Sequence, residues 1–195
     1  YKRQIIYRPG DLPSASESAK RWQDLAVKEG LQGLHLAAVH SFDFADPRSF
    51  GFDSAIQFPP LQTPSHNIAT NNSFNASPEF AGNVFNMQDV INLYSDVPQQ
   101  DYKLFRGVTP RWDNTPRRME RATSWVNSSP EIYGEWLKVA VTQTQRDHPA
   151  IEQFLFINAW NEWAEGAYLE PDVRYGYRYL EQTRAALQTE QRGLS

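Results

Sequence analysis

Short apolar runs alternate with stretches of helical periodicity along the 195 residues of this chain. When a helix separates two strands of one sheet, the strands pair in parallel, because the helix carries the chain back to the edge where the first strand began. The alternation therefore predicts an α/β fold with a parallel sheet, in one domain over residues 1–195. The predicted strands are residues 3–7, 34–39, 54–58, 102–108 and 153–159.

The helices between these strands have recognisable starts and ends. One is predicted over residues 14–29, with Gly30 as its stop, and the last over residues 175–188. Asn86 and Ser129 are the expected N-caps of two others, because their side chains can accept from the first free backbone N–H groups. The side chains expected to face inward are Ala19, Trp22, Leu25, Ala26, Ile132, Trp136, Val139, Ala140, Tyr179, Leu180 and Leu187.

Residues 59–85 break the alternation. They are rich in Asn, Ser, Pro and Gly and show no sustained helical or strand periodicity. A loop of this length in a compact domain is usually a lid, a binding loop or a disordered segment. We therefore expect a long irregular loop over 59–85.

The last predicted strand leads directly into the motif WNEWAEG at residues 160–166. Side chains three apart, such as those of Glu162 and Glu165, point to opposite sides of a continuing strand. They become neighbours if the chain turns, with Cβ atoms about 5–6 Å apart. Gly166 suits the end of such a turn because glycine tolerates positive φ. The motif thus places two carboxylates and the indoles of Trp160 and Trp163 at the exit of a core strand.

Paired carboxylates beside tryptophans suit chemistry on sugars. One acid can stay protonated in an apolar setting and donate to a leaving oxygen while the other remains ionised, and indole faces pack on sugar rings. The alternative is that Glu162 and Glu165 are solvated charges on a turn and that the tryptophans fill the core. We favour the sugar site because the carboxylates follow a strand, and because Asn161 adds a polar group to the same cluster.

Composition limits the classes of partner. A formal charge of −4 and the absence of a long basic run argue against nucleic acid or an anionic membrane. No run of about 18 apolar residues is present, so we expect no membrane insertion and favour a cytoplasmic protein. Without cysteine there are no thiolate ligands, and His35, His66 and His148 lack the spacing of a zinc site. We expect neither a metal nor a cofactor.

The motif also resembles a known signature. WNEWAEG followed by Glu170-Pro171 is similar to the signature of the endo-α-mannosidases of glycoside hydrolase family 99. Nearly all of the chain more closely resembles the WbsX-like proteins, a bacterial group with a family-99-like domain that is labelled glycosyltransferase. The stretches that support this resemblance are Tyr7-Arg8-Pro9, Gly51-Phe52-Asp53, residues 112–118 and residues 159–172.

The resemblance implies a (β/α)8 barrel in which WNEWAEG follows the last strand. Five strand–helix units are too few for such a barrel, which takes about 250 residues. The chain also begins at Tyr1, in place of an initiator methionine. We therefore expect a partial (β/α)8 barrel, formed by its C-terminal strands and helices, whose partner is the missing N-terminal part of the same barrel. Such a fragment exposes two sheet edges and should be weakly stable alone.

The resemblance also assigns roles to the two glutamates. It implies that Glu165 is the general acid and then the base at the glycosidic oxygen. It further implies that Glu162 deprotonates the 2-hydroxyl of the sugar, giving retention through an anhydrosugar. The residues alone support the pair and not this division of labour. In the usual scheme, carboxyls about 5–5.5 Å apart suit retention and about 6.5–9.5 Å suit inversion.

Further candidate substrate contacts lie on neighbouring loops. The resemblance places the loop with Trp112, Asp113 and Arg117 beside the substrate, and a salt bridge between Asp113 and Arg117 that only holds the loop is the alternative. Arg8 either grips a sugar hydroxyl or carboxylate with its planar fork or pairs with Asp11.

His40 begins the polar stretch 40–43 after the second strand, of the kind that lines an active site at the carboxyl ends of barrel strands. A hydrogen-bonded core histidine is the alternative role. Tyr168, Glu170 and Asp172 are expected to support the motif or to contact sugar at outer subsites.

Three functions are compatible with these observations, each with an oligosaccharide or polysaccharide as the partner. The first is endo-acting, retaining hydrolase-like chemistry by the Glu162 and Glu165 pair on α-mannoside-type or bacterial surface polysaccharide. The second is a WbsX-type glycosyltransferase in lipopolysaccharide O-antigen or capsule biosynthesis, although the chain lacks a glycine-rich phosphate loop and an aspartate pair suited to Mg²⁺. The third is a non-catalytic carbohydrate-binding protein.

Overall fold

The computed structural model describes residues 2–40, 46–70 and 77–188, which form nine strands and five α-helices. The strands are β1 (Lys2–Ile6), β2 (Leu34–Val39), β3 (Ser54–Ile56), β4 (Asn83–Asn86), β5 (Lys103–Val108), β6 (Thr123–Val126), β7 (Leu155–Ile157), β8 (Asn161–Glu162) and β9 (Ala167–Tyr168). The helices are α1 (Ala15–Lys28), α2 (Met87–Ser95), α3 (Thr115–Arg118), α4 (Pro130–Asp147) and α5 (Arg178–Gln188).

Five strands form one parallel sheet in the order β1-β2-β3-β5-β7. The predicted parallel α/β architecture is therefore confirmed. The sheet curls strongly, since the guanidinium carbon of Arg3 on edge strand β1 lies 4.2 Å from the ring centroid of Phe154, next to the opposite edge strand β7. A parallel sheet curled in this way is half of a barrel wall.

The two faces of the sheet carry different side chains, because successive residues of a strand point to opposite sides. On β2, Leu36 and Ala38 pack outward in one cluster with Ala19 of α1. Ala37 points inward and joins Phe105 in a second cluster. The curled sheet thus has an apolar inner face as well as an outer face covered by helices.

The largest core cluster lies around α4, where α2, α5 and the outer faces of β5 and β7 meet. Its largest fully buried side chains include Trp136 and Tyr133 of α4. Helices α4 and α5 approach closely at Gly134, where a Cβ atom would lie 2.4 Å from the Gln182 side-chain oxygen. Among the positions expected to face inward, Leu25, Val139 and Leu187 are exposed. Those three expectations were wrong, because helical periodicity marks an apolar stripe without showing how much of it a neighbour covers.

Local capping follows the sequence. Ser129 accepts from the backbone N–H of Ile132, and Asn86 accepts from that of Gln88, as their positions predict. The first helix ends just before Gly30, which has a φ of 83°. The last helix starts at Arg178, three residues later than predicted.

The predicted loop over 59–85 contains regular structure. It includes a 3-10 helix at Ile68–Thr70, and it ends in β4, which pairs in parallel with β6 in a separate two-stranded sheet. Neither strand of this sheet is among the strands predicted from the sequence. Residues 41–43 of the predicted polar exit and residues 71–76 of the loop lie outside the described part of the chain. Within that part, no helix is both long and apolar enough to cross a membrane.

Candidate active site

The WNEWAEG motif forms a tight hairpin at the end of β7. Glu162 ends strand β8, residues Trp163–Glu165 form one turn of 3-10 helix, and Gly166 ends the turn with a φ of 64°. The chain then returns as β9, antiparallel to β8. The predicted turn is therefore present, with glycine at the position that requires positive φ. We call residues 160–170 the WNEWAEG turn.

The two glutamates of the turn have different surroundings. Glu162 is exposed at the end of β8. The Glu165 side chain is largely buried and forms an ion pair with Arg117 of the short helix α3. Its backbone carbonyl accepts from the N–H of Asp113, at 2.8 Å. One carboxylate thus faces solvent freely, while the other is held by a neighbouring loop.

The two tryptophans of the turn present exposed indole surface, at 53% for Trp160 and 47% for Trp163. Trp163 stacks on Tyr168, with ring centroids 3.7 Å apart and an interplanar angle of 17°. The indole N–H of Trp163 donates to Glu170, at 2.6 Å. The stacked ring and the hydrogen bond hold Trp163 in place while part of it stays accessible, which suits packing against a sugar ring.

Arg111 makes several contacts on the buried side of the turn. It is not among the site residues predicted from the sequence. Its Nε donates to the Gly166 carbonyl at 2.9 Å, and its Nη2 to Asp172 Oδ2 at 3.2 Å. Its guanidinium carbon lies 4.2 Å from the Tyr168 ring centroid, and the Tyr168 hydroxyl donates to the same Asp172 oxygen at 2.9 Å. Burial raises the pKa of nearby Tyr179, which packs there as a neutral phenol. Arg111, Tyr168 and Asp172 are named the Arg111 cluster below.

The loop from Arg111 to Asn114 is fixed to β6 as well as to the turn. The Trp112 carbonyl accepts from Trp125 N–H at 2.8 Å, and the Asn114 side chain accepts from Thr123 N–H at 2.7 Å. Trp112 is only 7% exposed and belongs to the core cluster around α4. It therefore forms a wall of the site, whereas Trp160 and Trp163 offer exposed rings.

Asp113 and Arg117 do not pair with each other. Asp113 accepts from the backbone N–H of Thr115 at 3.0 Å and from the hydroxyl of the same residue. Arg117 pairs with Glu165. The structure thus brings this loop to Glu165 through Arg117, and not through the Asp113–Arg117 salt bridge that was the alternative.

Arg8 and His40, two of the predicted substrate contacts, each contact another side chain of the protein. Arg8 lies 3.2 Å from Asp11, which is the alternative weighed for it. The His40 backbone N–H donates to Ile56, and its Nε2 lies 3.2 Å from the Tyr102 hydroxyl. His40 follows Ala38 by two residues, and residues two apart along a strand lie on the same face. Ala38 packs on the outer face with α1, so His40 continues that outer face.

Two of the other histidines, His35 and His148, also have structural contacts. His35 Nε2 lies 2.8 Å from the Ser54 hydroxyl, and burial lowers the pKa of His35. His148 is buried, with its Nε2 2.9 Å from the Leu104 carbonyl. Among the described residues, no three His, Asp or Glu side chains are grouped to hold a metal ion.

A cavity of about 560 Å³ adjoins the turn. Its volume falls within the range of ligand pockets. One wall comes from the WNEWAEG turn through Trp163, and the other from the loop with Asp113 and from the segment that follows β6. Arg174, on the turn that precedes α5, also lines it. Trp163 therefore belongs both to the exposed surface of the turn and to the lining of this cavity.

Comparison with protein families gives one match that covers nearly all of the chain. The family described as Glycosyltransferase WbsX matches residues 2–183. Two relatives from Xanthomonas campestris pv. campestris, strains B100 and ATCC 33913, are both described as uncharacterized protein WxcX. They are 42% and 41% identical over 184 residues, which is 94% of this chain and 26% of each relative. The chain therefore spans about a quarter of the length of these relatives.

Two solved structures have a similar fold. A glycoside hydrolase-like protein aligns with a TM-score of 0.55 and 12% identity, over 94% of this chain and 54% of that one. The GH99 endo-α-mannosidase from Bacteroides thetaiotaomicron, in complex with bis-tris-propane, aligns with a TM-score of 0.50 and 15% identity, over 95% and 56%. At these identities the likeness concerns the fold alone. The curled sheet corresponds to part of a (β/α)8 barrel, as expected.

Proposed function

Since the chain belongs to the WbsX glycosyltransferase family, we propose that it makes or breaks glycosidic bonds with the carboxylates of Glu162 and Glu165. The observation that carries this proposal is the WNEWAEG turn itself. It joins the exposed carboxylate of Glu162 and the carboxylate of Glu165, which pairs with Arg117, with two half-exposed indoles. One of those indoles, Trp163, lines the cavity of about 560 Å³. Paired carboxylates of this kind are the usual machinery of glycoside hydrolysis.

The proposed reaction has two steps, following the roles that the resemblance to endo-α-mannosidases implies. In the first, the Glu165 carboxyl gives its proton to the glycosidic oxygen as the bond to C1 breaks. Glu162 takes the proton of the 2-hydroxyl as O2 bonds to C1. In the second, water attacks C1 as the C1–O2 bond breaks. The water loses a proton to Glu165, while Glu162 returns its proton to O2. The net change is hydrolysis with retention, and both carboxyls are restored.

Arg117 takes part in this cycle through Glu165. A guanidinium contact orients a carboxylate and stabilises its charged form. That form serves the second step, in which Glu165 accepts a proton, whereas the first step uses the protonated carboxyl. The ion pair therefore opens and re-forms once per cycle. The exposed position of Arg117 on a four-residue helix allows such movement.

The proposed substrate is an α-mannoside-type or bacterial surface polysaccharide, cut within the chain. Trp160 and Trp163 each expose about half of their surface, so a long glycan can pass across them. The family description supports a second candidate, glycosyl transfer. We propose synthesis of a surface polysaccharide as the setting of that transfer. In that case the same carboxylates would act on an acceptor hydroxyl, and a nucleotide sugar would be the donor.

The test is release of oligosaccharides from a panel of α-linked mannans and bacterial surface polysaccharides by the full-length protein. The variants are Glu162→Gln and Glu165→Gln, with Glu181→Gln on the exposed face of α5 as a matched control. We expect each site variant to lose at least about a hundredfold in rate. The control should keep the wild-type rate, and all variants should keep the wild-type melting temperature.

Other outcomes assign other functions. Turnover that requires a nucleotide sugar would favour the transferase. Saccharide binding without any turnover, unchanged in both site variants, would favour a carbohydrate-binding protein. Equal activity of wild type and both glutamine variants would overturn the proposed carboxylate mechanism.

We also propose that the half-barrel is completed by further strands of a longer polypeptide. Edge strand β1 exposes Ile5, and a cleft of about 450 Å³ between β1 and α1 is lined by apolar side chains that include Trp22 and Leu25. An open parallel edge beside an apolar cleft is a position where another strand and helix can pack. The chain alone should bind a hydrophobic dye such as ANS more strongly, per mole, than the full-length protein does. Equal dye binding would contradict this arrangement.

A further inference from the structure

Resting on the proposed function, the cavity beside the WNEWAEG turn gives information about the substrate. It is lined by Trp163, by Ser124 of β6, and by Asn127 and Ser128, which follow that strand. Its volume of about 560 Å³ is within the range of small-ligand pockets. A glycan that packs on Trp163 would therefore place a neighbouring sugar unit or substituent in this cavity.

The charged groups that line the cavity are not equivalent. Arg111 is committed to Asp172 and to the Gly166 carbonyl. Asp113 accepts from Thr115. Arg174 is exposed, and in the part of the chain that the structure describes no carboxylate lies within 4 Å of its guanidinium. The cavity thus has one arginine whose charge is not neutralised by a carboxylate contact.

The position of Arg174 is defined by its surroundings. Its guanidinium carbon lies 4.9 Å from the ring centroid of Tyr175, a cation–π contact. The segment that carries it is closed by a hydrogen bond from the Gly176 N–H to the Asp172 carbonyl, at 2.8 Å. Tyr175 N–H in turn donates to the Asp172 carboxylate at 2.5 Å. Arg174 is therefore carried by a turn tied to the Arg111 cluster, so its charge stays beside the cavity.

We propose that this cavity is a subsite for an acidic sugar unit, whose carboxylate pairs with Arg174 while hydroxyl groups contact Ser124, Asn127 and Ser128. A planar guanidinium binds a carboxylate through two parallel hydrogen bonds, and hydroxyl and amide side chains suit the uncharged part of a sugar. The substrate is then a surface polysaccharide that contains a carboxylate-bearing unit, such as a uronic acid, next to the residue that packs on Trp163.

The experiment compares two disaccharides with the full-length protein by isothermal titration calorimetry. One is α-linked mannobiose. The other is the same disaccharide with C6 of one mannose unit oxidised to a carboxylate, which makes that unit a mannuronic acid. We expect the acidic disaccharide to bind about tenfold more tightly at low salt, and this preference to shrink at 0.5 M NaCl because the site is open to solvent. Mannobiose 6-phosphate serves as a third probe, which distinguishes a carboxylate subsite from one for phosphate.

The variants are Arg174→Gln and Arg174→Lys, with Arg184→Gln as a control on the exposed surface of α5. Arg174→Gln should abolish the preference by lowering the affinity for the acidic disaccharide to that for mannobiose. Arg174→Lys should keep part of the preference, because it keeps the charge but loses the planar fork. The control should behave as wild type, and the melting temperatures of all three variants should agree with that of wild type.

Each outcome decides a different point. Equal binding of the neutral and acidic disaccharides would overturn the acidic subsite and leave the proposed function standing. A preference for the acidic disaccharide that survives Arg174→Gln would also overturn the proposed subsite, since another group would then bind the sugar carboxylate. Tighter binding of the phosphate probe than of the mannuronate probe would contradict the carboxylate assignment. If no saccharide binds, the proposed function and the subsite fail together.

Discussion

Two arginine–carboxylate pairs lie on the two sides of the WNEWAEG turn, and they differ in almost every physical respect. In the pair of Arg111 and Asp172, the side chains are 17% and 8% exposed. In the pair of Arg117 and Glu165, they are 50% and 18% exposed. Asp172 also accepts from the Tyr168 hydroxyl and the Tyr175 backbone N–H. The Arg111 pair is part of a network, whereas Arg117 makes a single contact to the turn.

This difference indicates how the turn combines stability with freedom to react. A largely buried pair is costly to break, because the remaining charge is left in a poorly solvated place. A pair in which one partner is half-exposed, as Arg117 is, contributes less, since water can replace that partner. The Arg111 cluster therefore fixes the turn in place, and the Arg117 pair holds a catalytic candidate that has to be released during a reaction cycle.

The largest expected effect comes from Arg111→Met, which leaves Asp172 largely buried without its cation. We expect a loss of about 3 kcal/mol in the free energy of unfolding, measured by urea denaturation of the full-length protein. Arg111→Lys should lose less, because it restores the charge but not the two-point contact. Arg184→Met on α5 is the control for loss of a surface arginine. An unchanged urea midpoint for Arg111→Met would mean that the cluster does not anchor the turn.

Gly166→Ala should have the next largest effect. Gly166 has a φ of 64°, and a Cβ atom there would lie 3.2 Å from the backbone nitrogen of Asp113. We expect a loss of about 1–3 kcal/mol in stability, together with reduced activity. Gly176→Ala is a matched control, because its φ is 54° but no atom lies within 4 Å of an added Cβ. If both variants lose the same stability, the approach of the two loops contributes nothing.

Tyr168→Phe tests how much the hydrogen bond from Tyr168 to Asp172 contributes to the stability of the Arg111 cluster. The variant loses the hydroxyl that donates to Asp172 at 2.9 Å but keeps the ring that stacks on Trp163. We expect a loss of about 1.5 kcal/mol in the free energy of unfolding, since one hydrogen bond to a charged group is removed. Sugar affinity should not change, because the stacked ring keeps Trp163 in place. Tyr177→Phe, at an exposed position, should change neither property.

Arg117→Gln should have the smallest effect on stability, below about 1 kcal/mol. We expect turnover to fall about tenfold or more, because Glu165 loses the group that orients it. The stability difference between this variant and wild type should shrink further at 0.5 M NaCl, whereas that of Arg111→Met should persist. A stability loss comparable with that of Arg111→Met would remove the distinction between the two pairs.

The fold was predictable wherever its signal was local. The five strands of the main sheet, the caps at Asn86 and Ser129 and the stop at Gly30 all follow from runs of a few residues. The second sheet was not predictable in this way. Its strand β4 is four residues long, lies in a stretch without periodicity and pairs with β6 about forty residues later. Pairing between strands so far apart in sequence produces no local pattern of apolar residues from which it could be predicted.

The candidate site shows the same division. The proximity of Glu162 and Glu165 to two tryptophans follows from seven consecutive residues, and so does the turn that ends at Gly166. The role of Trp112 as a buried wall does not follow, because burial depends on Trp125 and the core around α4. The exposure of Leu25, Val139 and Leu187 could not be predicted from the local sequence either, since it depends on which neighbouring elements cover the helices.

By itself, the sequence determined the parallel α/β architecture and the WNEWAEG turn, because strand alternation, helix capping and glycine at positive φ act over short distances along the chain. The tertiary structure alone decided which groups hold that turn. Arg111 contacts Gly166 across 55 positions of sequence, and Arg117 contacts Glu165 across 48. The physical reason is that a parallel sheet brings the ends of distant strands to one edge, and only there do charge, burial and hydrogen bonding give each arginine its partner.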